Sequence, residues 1–310
     1  MPNWCSNCLS VQCDSEAARH VIESLFDGSV TDRTNELSRK LRQIALAGLA
    51  GLLVPSPDVP AHVLEGAIKL NSDFATDRRE SSDRARAYDA FLIALVYGGL
   101  SPDTYDELSD LYDRTQLSKL WWGDIPRARR RTLTKLWKRV RYDYSFGFGG
   151  NIVRWWTAPA SPYSSSEQGR FNMCLLCPIP VSVIVNGFNG ELLDALSGYN
   201  WNCSVLNTKW TKVDVMLNKD GNYVFSTAWS PALSLIELLP SYVLGCLGMS
   251  ESDEGAFDMV RCNLFYFEEG CGFQGINDEC FELISSYDEE SEMFTSNYDP
   301  DIVAAFGELL

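Results

Sequence analysis

The order of hydrophobic periodicities along the chain constrains the fold more than any other feature. Residues 3–13, NWCSNCLSVQC, alternate between polar and apolar side chains, which is typical of a β-strand. A helix is predicted directly afterwards, with Asp14 and Ser15 as capping residues and Gly28 at its end. The next strand pattern begins only after residue 170. A domain that starts with a strand and a helix is therefore interrupted by a long segment of another kind.

The interrupting segment is predicted to be entirely helical. Helical periodicity recurs in five stretches separated by Pro and Gly, at about residues 33–54, 60–72, 83–97, 102–114 and 126–142. The segment ends in a stretch rich in Gly, Ser and aromatic residues, 145–169, which we interpret as an irregular connection. We expect an inserted helical domain at residues 31–165.

After residue 170 the strand patterns return. In order they predict a strand at 171–185, a helical piece at 191–196, a loop at 198–210, a hairpin at 212–229, a helix after Pro231 and a strand at 260–267. In the hairpin, Asp220 and Gly221 suit a turn that needs positive φ. This order is α+β and matches a ferredoxin-like split βαβ sandwich. The predicted ferredoxin-like domain comprises residues 1–30 and 166–287, followed by an acidic tail at 288–310.

Charge is distributed unevenly along the 310 residues, whose net charge is −16. Residues 31–165 carry 20 Lys/Arg and 16 Asp/Glu, net +4, whereas the remainder carries 6 and 26, net −20. A strongly acidic body repels nucleic acid and favours basic partner surfaces. The longest uncharged apolar run, residues 44–54, is well short of the roughly 20 residues needed to cross a bilayer, so no membrane association is expected.

Ten cysteines raise the question of metal binding. The start of the chain has no signal-peptide pattern, so we expect a cytoplasmic protein with reduced, mostly buried thiols. Two CxxC pairs, Cys5 with Cys8 and Cys174 with Cys177, are the candidates for zinc. Each pair lies within a predicted strand, where residues three apart point to opposite faces. Neither a metal nor a cofactor is expected.

No constellation in the sequence predicts catalysis. The only histidines are His20 and His62, each on a predicted helix, so a nucleophile and base pair would need a tertiary meeting. The GFGG at 147–150 lacks the strand, spacing and helix of a phosphate-binding loop. The DEESE run at 288–292 is consecutive and is interpreted as a solvated segment, not a set of converging metal ligands. We therefore predict that the protein is not an enzyme.

A basic helix at residues 126–141 is the strongest electrostatic signal. Its apolar stripe is predicted to contain Leu133, Leu136, Trp137 and Val140, and its opposite face to contain Arg127, Arg131, Lys135, Lys138 and Arg139. Such a face could follow phosphates, while neighbouring tryptophans stack on bases or pack beneath it: Trp121, Trp122, Trp155 and Trp156. Alternatively, the face pairs with the chain's own acidic domain or with an acidic partner.

An aromatic and polar set recurs outside the helical segment: Trp4, Asn7, Trp210, Trp229 and Glu269. Tryptophans with an amide and a carboxylate could line a pocket. The interpretation we favour is that the indole N–H groups and the Asn7 side chain satisfy each other and nearby backbone within a core.

Five short motifs carry a family resemblance: MPNWCSN at 1–7, CPIP at 177–180, NTKW at 207–210, STAWSP at 226–231 and FEEGCGFQG at 267–275. In this order they resemble the Api92-like family, also called YubB-like or DUF1281, of phage- and plasmid-encoded proteins with a ferredoxin-like domain. The resemblance covers about residues 1–28 and 171–285 and leaves the helical segment outside it.

Two functions follow from these expectations. The first is a non-enzymatic accessory protein of a phage or mobile genetic element that binds and modulates, for example by inhibition, a host defence or nucleic-acid-processing protein complex. The second is a nucleic-acid-binding module that uses the basic helix at 126–141. The sequence leaves the identity of the partner and the oligomeric state open.

Overall fold

A computed structural model describes residues 3–28, 31–141, 150–159, 171–250, 252–253, 259–288 and 293–309. The chain forms two compact units. Unit 1 comprises residues 1–29, 168–177 and 202–310, and unit 2 comprises residues 30–167 and 178–201. Two boundaries differ from those expected, because residues 178–201 belong to the helical unit and residues 288–310 belong to unit 1.

The fold is α+β. In chain order its described strands are β1 (Trp4–Cys13), β2 (Gly99–Leu100), β3 (Phe171–Asn172), β4 (Ile179–Pro180), β5 (Lys212–Val213), β6 (Met216–Leu217), β7 (Tyr223–Ala228), β8 (Val260–Glu268), β9 (Phe273–Ile276), β10 (Glu279–Glu282), β11 (Ile284–Asp288) and β12 (Met293–Asn297). Its described α-helices are α1 (Glu16–Phe26), α2 (Thr31–Leu49), α3 (Ala61–Leu70), α4 (Asp83–Tyr97), α5 (Tyr105–Arg114), α6 (Arg127–Val140), α7 (Ile152–Thr157), α8 (Val181–Asn186), α9 (Gly198–Val205), α10 (Leu235–Cys246) and α11 (Pro300–Phe306).

Unit 1 is built on a six-stranded sheet in the order β10-β9-β8-β1-β7-β6. Every neighbouring pair in this sheet is antiparallel, and β1 lies between β7 and β8. The predicted hairpin is confirmed as β6 and β7, and Gly221 takes the positive φ of its turn. The strands β9 and β10 were not predicted and extend the sheet beyond β8.

Helices cover both faces of this sheet. Cys8, Val224 and Phe265 lie opposite one another in the register and pack against α11. Residues one position along, such as Leu9 and Leu264, point to the other face, where α1 and α10 pack. The core of unit 1 therefore has two apolar layers, one on each side of β1.

The prediction of an acidic tail at residues 288–310 is wrong for residues 300–306, because these residues form α11, which packs in the core. Asp299 caps its N-terminus and Pro300 occupies the first turn, as helix starts favour. Ile302, Ala305 and Phe306 follow at a spacing of three and four residues and are buried. Three apolar side chains on one helix face explain why this acidic segment packs on the sheet.

Unit 2 is arranged around α2, which packs against α4, α5, α6 and α8. Each of the five segments predicted to be helical contains a helix, α2 to α6. Polar side chains of α2 are buried and fix its neighbours. Gln43 donates to the carbonyl of Trp156 at 2.8 Å and accepts from the Tyr112 hydroxyl at 2.6 Å, while Arg42 donates to the carbonyl of Ile184 at 2.7 Å.

The strand expected at residues 171–185 is wrong. The segment forms the two-residue strands β3 and β4, a 3₁₀ turn at Met173–Leu175 and the helix α8. Proline lacks a backbone donor, so Pro178 and Pro180 prevent a continuous strand ladder. In a short buried apolar run, periodicity does not distinguish a strand from a helix, and the sequence of α8 therefore predicts a strand. Because β4 pairs with β2, residues 178–201 belong to unit 2.

The region after α8 also differs from expectation. The helical piece expected at 191–196 contains no helix, and α9 occupies part of the expected loop at 198–210. Asn186 explains the first difference, because its amide holds this stretch in an irregular conformation. Its Oδ1 accepts from the backbone N–H groups of Leu192 and Leu193 at 3.0 and 2.7 Å, and its Nδ2 donates to the carbonyl of Ala195 at 2.8 Å.

Candidate functional site

Three tryptophans and a lysine form a surface of unit 1 that we call the tryptophan surface: Trp4, Lys209, Trp210 and Trp229. The ring centroids of Trp4 and Trp210 are 5.5 Å apart. The Lys209 ammonium lies 4.9 Å from the centroids of both Trp210 and Trp229, within the range of cation–π attraction. Trp4 is 52% exposed and Trp229 is 43% exposed. The four side chains therefore form a row with two open indole rings.

Backbone and side-chain hydrogen bonds hold the segments that carry this row. The Trp229 N–H donates to the carbonyl of Asn3 at 2.9 Å. The next residue, Ser230, donates from its hydroxyl to the carbonyl of Asn207 at 2.5 Å. Asn202 donates from Nδ2 to the carbonyl of Lys209 at 3.1 Å. The loops before β1, before β5 and after β7 are thus connected to one another around the indole rings.

The backbone of Trp229 is strained. Its φ is +73°, in the left-handed region that bulky side chains rarely adopt. Such a conformation costs on the order of 1–3 kcal/mol and persists only where the surroundings enforce it. The Trp229 N–H bond to Asn3 and the hydrogen bonds of Ser230 supply that enforcement. The exposed position of this indole is therefore maintained at a cost in stability.

Asn7 lies beneath the surface and is fully buried. Its Nδ2 donates to the carbonyl of Cys5 at 2.9 Å and to the Thr227 hydroxyl at 2.8 Å, and its Oδ1 accepts from the Ala232 N–H at 3.0 Å. Thr227 in turn donates to the carbonyl of Ser230 at 2.6 Å. A fully buried amide does not line a pocket. Asn7 instead fixes the loop that carries Trp229.

Glu269 differs from the other four members of the predicted set. Its carboxylate accepts a hydrogen bond from the Tyr298 hydroxyl. The preceding residue, Glu268, is buried and accepts from the backbone N–H of Cys271. Asn3 donates from Nδ2 to the Cys271 sulfur at 3.2 Å. The loop containing Glu269 is therefore connected to the tryptophan surface through Asn3 and Cys271, and not through Glu269 itself.

Four of the five family motifs meet at this end of the sheet. Asn3 and Trp4 belong to MPNWCSN, Lys209 and Trp210 to NTKW, Trp229 to STAWSP and Cys271 to FEEGCGFQG, and the contacts above join them. The fifth motif, CPIP, is divided between the two units. The tryptophans are predicted from the sequence, but as members of a core, whereas Trp4 and Trp229 are exposed. Lys209 is not predicted, because its only signal is its place beside Trp210 in NTKW.

The second candidate is the basic face of α6 in unit 2, which consists of Arg127, Arg131, Lys135, Lys138 and Arg139. All five side chains are exposed. The predicted apolar stripe is confirmed, because Leu133, Leu136, Trp137 and Val140 are buried. Within the described part of unit 2, no carboxylate forms an ion pair with the basic face. The helix thus presents five cations that no described carboxylate of its own unit neutralises.

The tryptophans near this helix have different environments. Trp155 and Trp156 are buried, and the Trp156 Nε1–H donates to the carbonyl of Leu120 at 2.7 Å. The Trp122 ring lies 6.1 Å from that of Trp156. Trp121 is 69% exposed. Of the four tryptophans considered for base stacking, Trp155 and Trp156 belong to the core and Trp121 is the most accessible.

The cysteines form no disulfide, and all ten belong to unit 1. Burial raises the pKa of the Cys8 thiol to about 11 and that of Cys174 to about 12, so both are neutral at physiological pH. Cys8 donates to the carbonyl of Ala305 at 3.1 Å. The expectation that Cys174 lies in a strand is wrong, because it lies in a 3₁₀ turn. Among the described residues, no three His, Cys, Asp or Glu side chains converge as metal ligands.

Several predicted features fall outside the described residues or remain separate. Most of GFGG, much of the connection at 145–169 and residues 289–292 of the DEESE run lie outside the described ranges.

His20 lies on α1 and His62 on α3, and both side chains are exposed. None of the described helices is both long and apolar enough to cross a membrane.

Comparison with known proteins gives one family match and one structural match. The model of the family described as "Protein of unknown function (DUF1281)" matches residues 36–210, more than half of the chain. The crystal structure of the protein api92 from Yersinia pseudotuberculosis, assigned to the same family model, superposes with a TM-score of 0.65 at 17% identity. That alignment covers 91% of this chain and 95% of the other. A search of curated proteins gives no match.

The matched range corrects the extent of the resemblance. Residues 36–210 include most of unit 2, which the sequence motifs had left outside the family. The structural alignment is also longer than either unit, so the similarity to api92 extends over both. The helical unit is therefore a feature shared with relatives and not an addition particular to this chain. On this evidence the chain belongs to the DUF1281 family.

Proposed function

We propose that this DUF1281 protein is a non-enzymatic accessory protein that binds a partner protein through the tryptophan surface of unit 1. The observation that carries the proposal is the pair of open indole rings, Trp4 and Trp229, at the ends of a row assembled from three distant segments. Exposed aromatic rings at a fixed position are typical of the residues that dominate binding energy at protein interfaces.

The rigidity of this surface supports the proposal. Binding costs less entropy when the contacting side chains are already ordered. Lys209 lies between the rings of Trp210 and Trp229, and the Trp229 backbone is held by Asn3. A strained backbone at an exposed side chain is more often associated with function than with stability. Both features are expected of a preformed docking surface.

Charge indicates the kind of partner. The residues of unit 1 include 6 Lys/Arg and 23 Asp/Glu, net −17, and one of the six cations is Lys209. A partner with an apolar contact region surrounded by basic residues would be attracted to this unit and oriented on it. Such basic surfaces occur on proteins that process nucleic acids. This supports a host defence or nucleic-acid-processing complex as the target, modulated in the bacterial cytoplasm.

We also propose that unit 1 is a ferredoxin-like domain. The element order β1-α1-β6-β7-α10-β8 and the central sheet order β8-β1-β7-β6 support this assignment. The strands β9 and β10 and the helix α11 are then additions to that domain. The proposed phage or plasmid origin rests on the family resemblance of the motifs. Because this fold hosts unrelated functions, the proposal depends on the surface and not on the fold.

Affinity capture from a bacterial host lysate tests the docking surface. The tagged protein is compared with a Trp4→Ala/Trp229→Asn double variant and with Trp121→Ala, a matched control that removes an exposed indole from unit 2. Each capture is performed with and without nuclease, and bound proteins are quantified by mass spectrometry. We expect a stoichiometric partner that the double variant loses, that the control retains and that nuclease does not release.

Two results would contradict this function. One is capture that does not change in the double variant, provided that its urea unfolding midpoint shows a folded protein. The other is a partner set that disappears with nuclease, which would indicate that nucleic acid bridges the proteins.

The basic face of α6 supports a second candidate, nucleic-acid binding by unit 2. Unit 2 as a whole has 20 Lys/Arg and 19 Asp/Glu, so its positive charge is concentrated locally on α6. Five exposed cations on one helix face could contact successive phosphates, and Trp121 could stack on a base. This candidate predicts affinity that falls steeply with salt.

Fluorescence anisotropy with a labelled 20-nucleotide single strand tests the second candidate. The Arg131→Glu/Lys135→Glu variant should lose at least about 10-fold in affinity, because two cations that contact phosphates become carboxylates that repel them. The dependence of the affinity on salt should also become weaker, since fewer phosphates are contacted. The control, Lys69→Glu/Lys119→Glu, changes the same charge at exposed lysines outside α6. Equal losses in the two variants, or affinity that is independent of salt, would exclude the basic face as the binding site.

A further inference from the structure

A cleft of unit 1 lies beside α11 on the face of the sheet that this helix partly covers. Its volume is about 480 Å³, within the range of about 300–1,000 Å³ that is common for small-molecule sites. The residues that matter for its chemistry are Ser10, Asn222, Asn263, Phe265, Ile276 and Asp301. They come from β1, the hairpin turn before β7, β8, β9 and α11.

The lining combines apolar side chains with hydrogen-bond acceptors. Phe265 and Ile276 supply apolar surface. Among the described residues, three polar groups in the lining have no hydrogen-bond partner: the Ser10 hydroxyl, the Asn222 Oδ1 and the Asp301 carboxylate. All three can accept hydrogen bonds, and Asp301 is negatively charged. The cleft thus offers several acceptors, one charge and an apolar surface.

The wall formed by α11 is fixed in place. Near its C-terminal end, the carbonyl of Ala305 accepts from Cys8 Sγ at 3.1 Å, from Asn218 Nδ2 at 2.9 Å and from Asn222 Nδ2 at 3.3 Å. These bonds satisfy a carbonyl that a helix end would otherwise leave unpaired. They also orient the Asn222 amide, because its nitrogen donates to the helix while its oxygen receives no hydrogen bond from any described residue. A ligand would therefore meet a preformed cleft.

We propose that this cleft binds a small organic cation, with a primary ammonium or guanidinium group on an apolar chain or ring. The N–H donors of the cation match the acceptors of Ser10, Asn222 and Asp301, and its carbon skeleton packs on Phe265 and Ile276. The net charge of −17 on unit 1 raises the local concentration of cations. An anion would instead face the Asp301 carboxylate.

This site is separate from the tryptophan surface. Ser10 lies six residues beyond Trp4 on the same strand, β1, which corresponds to about 20 Å along the strand axis. The inference therefore does not rest on the proposed protein partner. Failure of one proposal leaves the other in place.

Calorimetric titration with phenethylamine, 2-phenylethanol and phenylacetate tests the ligand class. The three probes share a ring and chain length and differ in charge. We expect phenethylamine to bind with a dissociation constant below about 1 mM and the other two at least about 10-fold more weakly. Absence of phenethylamine binding, or equal binding of the alcohol, overturns the proposal.

Two variants locate the site. Asp301→Asn keeps the size of the side chain but removes its charge, and should weaken phenethylamine binding at least about 10-fold. Asp214→Asn makes the same change at an exposed carboxylate of unit 1 that does not line the cleft, and should leave the affinity unchanged. Methyl resonances of Ile276 and Ala305 should shift when the amine is added. Retained affinity in Asp301→Asn, or shifts that exclude these methyls, overturns the assignment.

Discussion

The tryptophan surface and the basic face of α6 are both exposed, but different interactions hold them in place. The basic face depends on one helix, whose opposite side is buried in the core of unit 2. The tryptophan surface depends on long-range strand pairing, on the buried Asn7 and on a strained backbone at Trp229. The stability of unit 2 should therefore tolerate substitution of the exposed residues on the basic face. The tryptophan surface should instead be sensitive to substitution of buried residues beneath it, such as Asn7.

The largest expected difference between the regions is their response to alkaline pH. Burial raises the pKa of Cys8 to about 11 and the pKa values of Cys174 and Cys262 to about 12, and it also raises the pKa of Cys5. Above pH 9 the unfolded thiols release protons that the folded thiols keep. The stability that these groups contribute is therefore intact below pH 9 and is lost as pH rises. Each thiol costs about 1.4 kcal/mol per pH unit, or on the order of 5 kcal/mol together at pH 10.

Urea unfolding at pH 8 and pH 10, followed by pulsed hydrogen exchange and mass spectrometry, resolves the two units. Peptides from unit 1 should lose protection at lower urea at pH 10, whereas unit 2, which has no cysteine, should change less. Cys262→Val removes one titrating thiol and should reduce the pH dependence of unit 1 by about 1.4 kcal/mol per pH unit. Equal losses in the two units would contradict the role of the thiols.

The next largest effect concerns the two sides of α6. Leu133→Ala shortens a fully buried side chain and leaves a cavity, which should lower the free energy of unfolding by about 3 kcal/mol. Lys135→Ala, on the basic face two residues away, should change it by no more than about 0.5 kcal/mol. Chemical denaturation of both variants measures the contrast. A large loss in Lys135→Ala would show that the basic face is part of the packing of unit 2.

Asn7→Ala is expected to have a somewhat smaller effect in unit 1. It removes the donor to the Thr227 hydroxyl and the acceptor of the Ala232 N–H, and it leaves that N–H buried without a partner, which should cost about 2 kcal/mol. Denaturation gives the loss, and fluorescence quenching by acrylamide should show that Trp229 has become more accessible. Ser226→Ala, at an exposed position of β7 beside Thr227, is the control. Unchanged quenching in Asn7→Ala would separate Asn7 from the surface.

These contrasts also explain which parts of the molecule could be predicted from sequence. Helical periodicity is local, so α6 and its two faces follow from 14 consecutive residues. The strand β1 and the hairpin of β6 and β7 follow from alternation and turn chemistry for the same reason. The helix α8 could not be predicted, because a short buried apolar run carries no period that separates helix from strand.

The environment of the tryptophans was also out of reach. Trp4 begins β1 next to the buried Cys5, and only tertiary packing determines that the Trp4 ring remains exposed. Trp229 follows β7 in a conformation that no propensity scale favours for a bulky residue. Its exposure results from hydrogen bonds to Asn3 and from Ser230 to Asn207, both distant in sequence. Long-range enforcement of an unfavourable local conformation leaves no local signal.

The smallest expected effect tests that enforcement directly. Trp229→Asn and Trp229→Ala both remove the indole and its contact with Lys209, so they differ mainly in how well they tolerate a φ of +73°. Asparagine adopts the left-handed region more readily than alanine, whose Cβ is crowded there. The asparagine variant should therefore be about 1 kcal/mol more stable than the alanine variant, as measured by urea denaturation. Equal stability of the two would mean that the loop relaxes once the indole is removed, and that the Trp229 side chain, not the Asn3 and Ser230 hydrogen bonds, maintains the strain.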